Sequence, residues 1–482
     1  LLRYFIRKEK CRFVVYRSKA EVEMRKYLFG STVLTFALIV TVSACGKGNV
    51  KQATQASSKE ATVASSEKQQ ESGEKTEGEE SGEVLSEDQA KREGEKEFKD
   101  SPEKAAAYLK TYFAIQVPET AEGKAFSEAL QKITEKEIPI TGEFDRLKAI
   151  SAAVDASGYR ELEQSYTAEK LQERLQRYGL KGEGEELSPL VCALDVDLIT
   201  PEEAEKAMNK DKPDKDFEEA LLMKVADAVG KGRNFLGLAS DPDIFGKLDK
   251  TWQEFRLFDD PKLSELGRKA VEQKITTGYG LKSSAYDARF LPEYTLQYGH
   301  SDILHARQLI GLLDREGLNA RVQLEPKISI YQYLLEWGAV PEATPTYEVQ
   351  KFSDDLYLVH AVEYDLKLEF ANKEDLMAFD QVIKAFAKKN SENEERKGLL
   401  YGSWWQPLYS TVREDMPKED YHAIYDCVVT DGEYAIHPFT TEEKKDEVVK
   451  SLTALADGLT VTPEKRYVNT AFYHYLTGQD YQ

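Results

Sequence analysis

The sequence is poor in the residues that build metal and redox centres. Four cysteines and six histidines are scattered over 482 residues, with no CxxC pair and no Cys/His cluster, so no zinc ribbon or thiol-disulfide motif is present and no cofactor is implied. Long hydrophobic runs are missing too. The most apolar stretch, Tyr27 to Thr41, is uncharged but falls short of the roughly 20 residues that a membrane-spanning helix needs. Basic side chains are outnumbered, 65 against 86, for a net charge of −21. Residues 1–44 hold nine basic and three acidic groups, so without them the figure becomes −27. A surface this acidic repels phosphate backbones and anionic headgroups, which argues against nucleic-acid binding and against attachment to a bilayer by charge. The acidic run from Asp211 to Asp216 lacks the glycine and ligand spacing of an EF-hand loop and reads as a solvated loop.

What is present starts at Met24. Basic Arg25-Lys26 precede the apolar run, and Val42-Ser43-Ala44 lead into Cys45. A positive end, a short apolar core and small residues at a cleavage point make a secretory signal over 24–44. The small residues before cysteine resemble the lipobox of bacterial lipoproteins, whose signal peptides are of type II. That resemblance implies lipid on Cys45, which becomes the new N-terminus on the extracytoplasmic face of the cell membrane. A diacylglyceryl cysteine carries two acyl chains, enough for a stable anchor. Residues 1–23 are expected to be an over-extended gene start.

Beyond Cys45 the composition changes. From Gly46 to Glu97 there is no aromatic residue, and Ser, Glu, Lys, Gln, Gly and Ala dominate. Such a segment buries too little apolar surface to offset the entropy of ordering, so 45–100 is expected to be a lipidated, disordered tether. About 50 flexible residues reach on the order of 40 Å.

Residues 101–482 have a globular composition and the expected class is α+β: a mainly helical domain over 101–280, then a mixed domain over 281–482. Apolar spacings of three and four predict helices at Ser101–Gln116, Gly123–Glu137, Glu143–Asp155, Thr167–Tyr178, Thr200–Met208, Phe217–Val229 and Lys262–Lys274. In the second half, Ala320–Leu324 and Leu356–Glu369 read as strands, the latter placing Leu358, His360, Val362, Tyr364, Leu366 and Leu368 on one side. A helix is expected over Lys373–Lys388 and another over Thr440–Leu455. Asp431-Gly432 between apolar runs predicts a hairpin. Cys192 and Cys427, both in core-like surroundings, are either separate buried thiols or a disulfide that export would permit.

The segment Asp302-Ile303-Leu304-His305-Ala306-Arg307, continuing through Leu312-Leu313 to Gly317-Leu318-Asn319-Ala320-Arg321, resembles the core of the transglutaminase-like, papain-related superfamily. In that family a helix starts at a nucleophilic cysteine and ends in a Gly-apolar-x-Ala-Arg turn entering a strand. His360-Ala361-Val362-Glu363-Tyr364 resembles its second motif, so a core over 298–375 is implied, with His360 as the histidine and Asp375 as the aspartate. Where the family has cysteine, this chain has Asp302, next to Ser301. A thiolate at a helix N-terminus is a strong nucleophile, whereas aspartate there is a poor acyl acceptor, so cysteine-type acyl transfer is not expected. Ser301 or Asp302 also serves as an N-cap and Gly317 as a helix stop. His300, Asp302, His305 and His360 supply metal-ligand chemistry, but packing or capping is the simpler use of each, and no metal is expected.

Trp404, Trp405 and Tyr409 lie among turn formers, where exposed rings would stack on sugar faces and buried ones would fill a core. The expected function is a membrane-anchored binding or assembly protein with a cell-wall glycan, peptide or protein partner. The alternative is a surface hydrolase or metal-dependent enzyme using Asp302 and His360.

Overall fold

A computed structural model describes residues 98–101, 103–386, 410–414 and 416–477. The signal segment and residues 45–97 of the expected tether lie outside them. The described residues are mixed α+β, and among them no helix is long and apolar enough to cross a membrane.

Eight helices come first: α1 (Glu103–Phe113), α2 (Gly123–Thr134), α3 (Arg146–Ala156), α4 (Arg160–Glu163), α5 (Ala168–Arg177), α6 (Ser188–Asp195), α7 (Pro201–Met208) and α8 (Lys215–Ala228). Their starts follow from local chemistry. Asp145, Thr167 and Asp214 accept hydrogen bonds from Lys148, Lys170 and Phe217 amides, and Thr200 with Glu203 forms a capping box ahead of Pro201. Ser101 receives the Lys104 amide on its backbone carbonyl. These helices share one core that includes Tyr108, Phe126, Ile150, Leu190 and Leu222, joined by Leu291 and Tyr294.

The rest is a sheet with helices on it. Its strands are β1 (Gly237–Leu238), β2 (Gly278–Ser283), β3 (Thr295–His300), β4 (Ala320–Tyr333), β5 (Tyr347–Lys351), β6 (Tyr357–Phe370), β7 (Ser410–Thr411), β8 (Tyr421–Asp431), β9 (Tyr434–His437), β10 (Phe439–Thr441) and β11 (Val461–Asn469). The hydrogen-bonded path runs β3-β6-β4-β2-β9-β8-β11-β7, with β1 on β4, β5 on β6 and β10 on β8, and every pair is antiparallel. The path ends, β3 and β7, approach within 8 Å between Cα atoms, so the sheet is curled nearly into a barrel.

The two faces of this sheet differ. One carries Leu281, Leu296, Leu324, Ile328, Tyr364, Leu366 and Val429. It packs against α9 (Ile244–Glu254), α10 (Pro261–Glu272), α11 (Ile303–Arg315), α12 (Lys373–Phe386) and α13 (Lys445–Leu455). The other, inner face is polar. Directly paired residues share a face, so the register puts Arg321 with Glu369, Glu325 with Asp365 and Lys327 with Glu363, and Gly280 with both Ser329 and His437. The last helix, α14 (Thr470–Thr477), meets this face through Phe472, whose ring stands edge-on to Phe439 at 5.9 Å.

A buried ion cluster ties the first helices to the sheet. Glu369, fully buried, receives Arg321 at 2.7 Å and Arg233 at 2.8 Å, with Lys104 at 3.7 Å. The Leu291 amide donates to its other oxygen at 2.9 Å. Asp100 adds a second carboxylate, binding Lys104 and Arg321 at 2.7 Å each.

Candidate functional site

The inner face encloses a cavity of about 970 Å³, within the size range of small-molecule sites. Its walls follow from period two. Gly278, Gly280 and Lys282 of β2 line it, as do Glu325, Lys327 and Ser329 of β4, Asp365 and Lys367 of β6, and Asp426 with Glu464 across β8 and β11. Residues 273–277 after α10, with Lys444, Glu447 and Ser451 at the start of α13, also line it and are exposed or half-buried, as are Ser284, Gly432 and Glu433, so the cavity is open to solvent. A Cβ on Gly280 would lie 3.0 Å from the Lys327 Cδ, so the glycine keeps this wall clear.

The lysines form a closed alternation with carboxylates. Lys282 contacts Asp365, and Glu325 at 3.2 Å. Lys327 reaches Asp365 at 3.0 Å and Glu363 at 3.8 Å, while Lys367 reaches Glu325 at 2.8 Å and Asp287 at 3.6 Å. Burial alone would raise Asp365, but Lys282 and Lys327 hold it far below the usual carboxylate range. Burial would equally lower Lys282, and Asp365 and Glu325 push it above the usual lysine range. Both therefore stay ionised. Glu363 differs: burial pushes its carboxyl up to about 7, against Lys327 and the Ser329 hydroxyl, which donates to it at 2.6 Å.

The residues singled out from sequence are placed elsewhere. Asp302 caps α11, accepting from the Leu304 amide at 2.9 Å, and its own amide donates to His300 Nδ1 at 2.8 Å. The Tyr364 hydroxyl donates to the Asp302 carbonyl at 2.7 Å. The His300 ring stacks on His305 at 3.8 Å, and the Tyr298 hydroxyl lies 2.6 Å from His305 Nδ1. Burial lowers the pKa of both histidines, so they form a neutral packed stack.

His360 is not part of this group. His300 is opposite Tyr364 on β6, and His360 lies four residues further along, roughly 13 Å at strand rise. It is opposite Glu348, whose carboxylate is 3.8 Å away, and burial lowers its pKa against Asp259 and Glu348. Asp375 sits in the first turn of α12, beyond the far end of β6, held by Asn372 at 3.0 Å. Asp302, His360 and Asp375 are thus not brought together. Among the described residues no group of three or more His, Cys, Asp or Glu side chains is arranged to hold a metal ion. Cys192 and Cys427 are free buried thiols in different cores. Cys45, Trp404, Trp405 and Tyr409 lie outside the described residues.

Sequence reasoning missed the cavity. Its signal was the charged half of the alternation in β6, Glu363-x-Asp365-x-Lys367-x-Glu369, matched by Glu325-x-Lys327 in β4, which reads as a solvated face until the sheet is known to curl. No protein-family model, curated protein or solved structure matches the chain.

Proposed function

We propose that the protein is a membrane-anchored extracytoplasmic lipoprotein that binds a small polar ligand, such as a fragment of wall glycan or peptide, in the cavity of its curled sheet. Lipid on Cys45 and a disordered tether, ending before the Asp100 that Lys104 and Arg321 hold, keep a helical part and the following mixed domain clear of the membrane. The observation that carries this reading is the cavity itself: a space of about 970 Å³ bounded by charges already neutralised in pairs, which suits recognition by hydrogen bonds. The separation of Asp302 from His360 also favours binding over the hydrolytic alternative, because a base must lie within hydrogen-bond reach of the group it serves.

Two measurements test the two halves. Cys45→Ala is expected to leave the membrane fraction or to accumulate as unprocessed precursor; processing and retention like the wild type would contradict the anchor. A thermal-shift screen of amino acids, dipeptides, amino sugars and small glycans is expected to give ligands that raise the melting temperature of the wild type but not of Gly280→Val, whose side chain crowds Lys327 and intrudes on this wall of the cavity. Equal shifts in both would place binding elsewhere.

A further inference from the structure

Among the described residues, the inner face has one acid that its neighbours leave half-satisfied. Asp426, on β8, is 4% exposed and lines the cavity. Its Oδ2 faces His437 Nδ1 at 2.9 Å, whereas its Oδ1 is buried with no hydrogen-bond partner among the described residues. An acceptor buried without a donor is destabilised, more so when charged, so Asp426 favours a ligand that brings one.

The neighbouring cations do not supply one. Lys282, Lys327 and Lys367 are engaged by Asp287, Glu325 and Asp365. Arg466 is paired with Glu464, and Glu464 stands directly opposite Asp426 in the β8–β11 register. Glu464 is thus answered by Arg466, and the position left unfilled at this end of the cavity, among the described residues, is the second oxygen of Asp426. A bare metal ion is not favoured, since among the described residues no three His, Cys, Asp or Glu side chains are arranged for one. A protonated amine is: it carries charge and N–H donors on a single atom, and one donor satisfies Oδ1.

We infer that the cavity binds a small ligand through a protonated primary amine directed at Asp426, the polar remainder lying along the wall that Gly278 and Gly280 leave clear. This rests on the cavity being the binding site. An amino sugar and the amino terminus of a short peptide present the same group.

Calorimetric titration of the full chain in detergent with glucosamine, alanylalanine and 1,5-diaminopentane, each beside its N-acetylated form, tests it and separates the sources. At least one free amine is expected to bind, with its acetylated form weaker by about 10- to 100-fold, the worth of one hydrogen bond to a charged group. Asp426→Asn is expected to show the same loss, and Gly280→Val to lose both forms. The acetylation contrast needs no variant, so it stands even where Asp426→Asn does not fold. Equal binding of free and acetylated ligands, or no binding by any amine, overturns the inference. Neutral glycans or peptides that bind the wild type and not Gly280→Val would still leave the cavity as the site, whereas ligands indifferent to Gly280→Val would remove the site as well.

Discussion

Asp302 completes the first turn of α11 by accepting the Leu304 amide. Its replacement by alanine is therefore expected to cost about 0.5–2 kcal/mol of stability, read as a shift in denaturation midpoint, with ligand binding in the cavity unchanged. The capping role was legible because an acidic residue before an apolar helical run has few other uses. The absence of a partner in His360 was not legible, because register across a sheet sets that distance and one strand does not reveal it. Glu218 offers a second test at this scale. It is 1% exposed within α8, one oxygen has no hydrogen-bond partner among the described residues, and burial, with repulsion from Asp214 and Glu219, raises its carboxyl from 4.5 to about 7. The folded chain thus keeps a proton that the unfolded chain has lost, so stability falls as pH rises from about 4.5 to about 7 and the loss is complete above that window. Unfolding measured at pH 5 and pH 8 is expected to show Glu218→Gln losing about 1–3 kcal/mol less than the wild type between the two; parallel pH profiles would contradict the buried titration.

At the scale of elements, the Asp431-Gly432 hairpin is present, with β8 and β9 flanking it and Gly432 at φ +58°. Alanine there takes up a left-handed conformation that disfavours a Cβ, so Gly432→Ala is expected to destabilise by about 1–2 kcal/mol, measured by equilibrium unfolding. Strand β6 extends over Tyr357–Phe370, close to its expected span, and its apolar side was read correctly. Its other side is also buried, because Glu363, Asp365 and Glu369 find cations across the strand pairs, which single-chain alternation does not disclose. Strands β2 and β11 were missed for a related reason. Gly278-Tyr-Gly-Leu-Lys-Ser283 and Val461-Thr-Pro-Glu-Lys-Arg466 put glycine or charge where a strand with a dry inner face would put Val or Ile. The expected helix over Thr440–Leu455 starts later, at Lys445, because Phe439–Thr441 pairs with β8 as β10.

On the scale of the whole molecule, the Glu369 cluster joins the first helices to the sheet. Removing its charge leaves Asp100 to pair with Lys104 and Arg321 and takes from buried Arg233 the carboxylate it contacts. Glu369→Gln is therefore expected to cost about 3–5 kcal/mol, and a loss below about 1 kcal/mol in urea unfolding would show that the cluster is not a joint. The α+β class was legible from periodicity in both halves of the globular region. The cavity was not, since it arises from curvature shared by strands that are far apart in sequence. Hydrogen exchange on the full chain, with and without the compound giving the largest thermal shift, tests the cavity most directly. Binding there is expected to protect Gly278–Ser283 and Tyr421–Asp431 together, whereas protection confined to the start of α11 and to β5 beside His360 would contradict it.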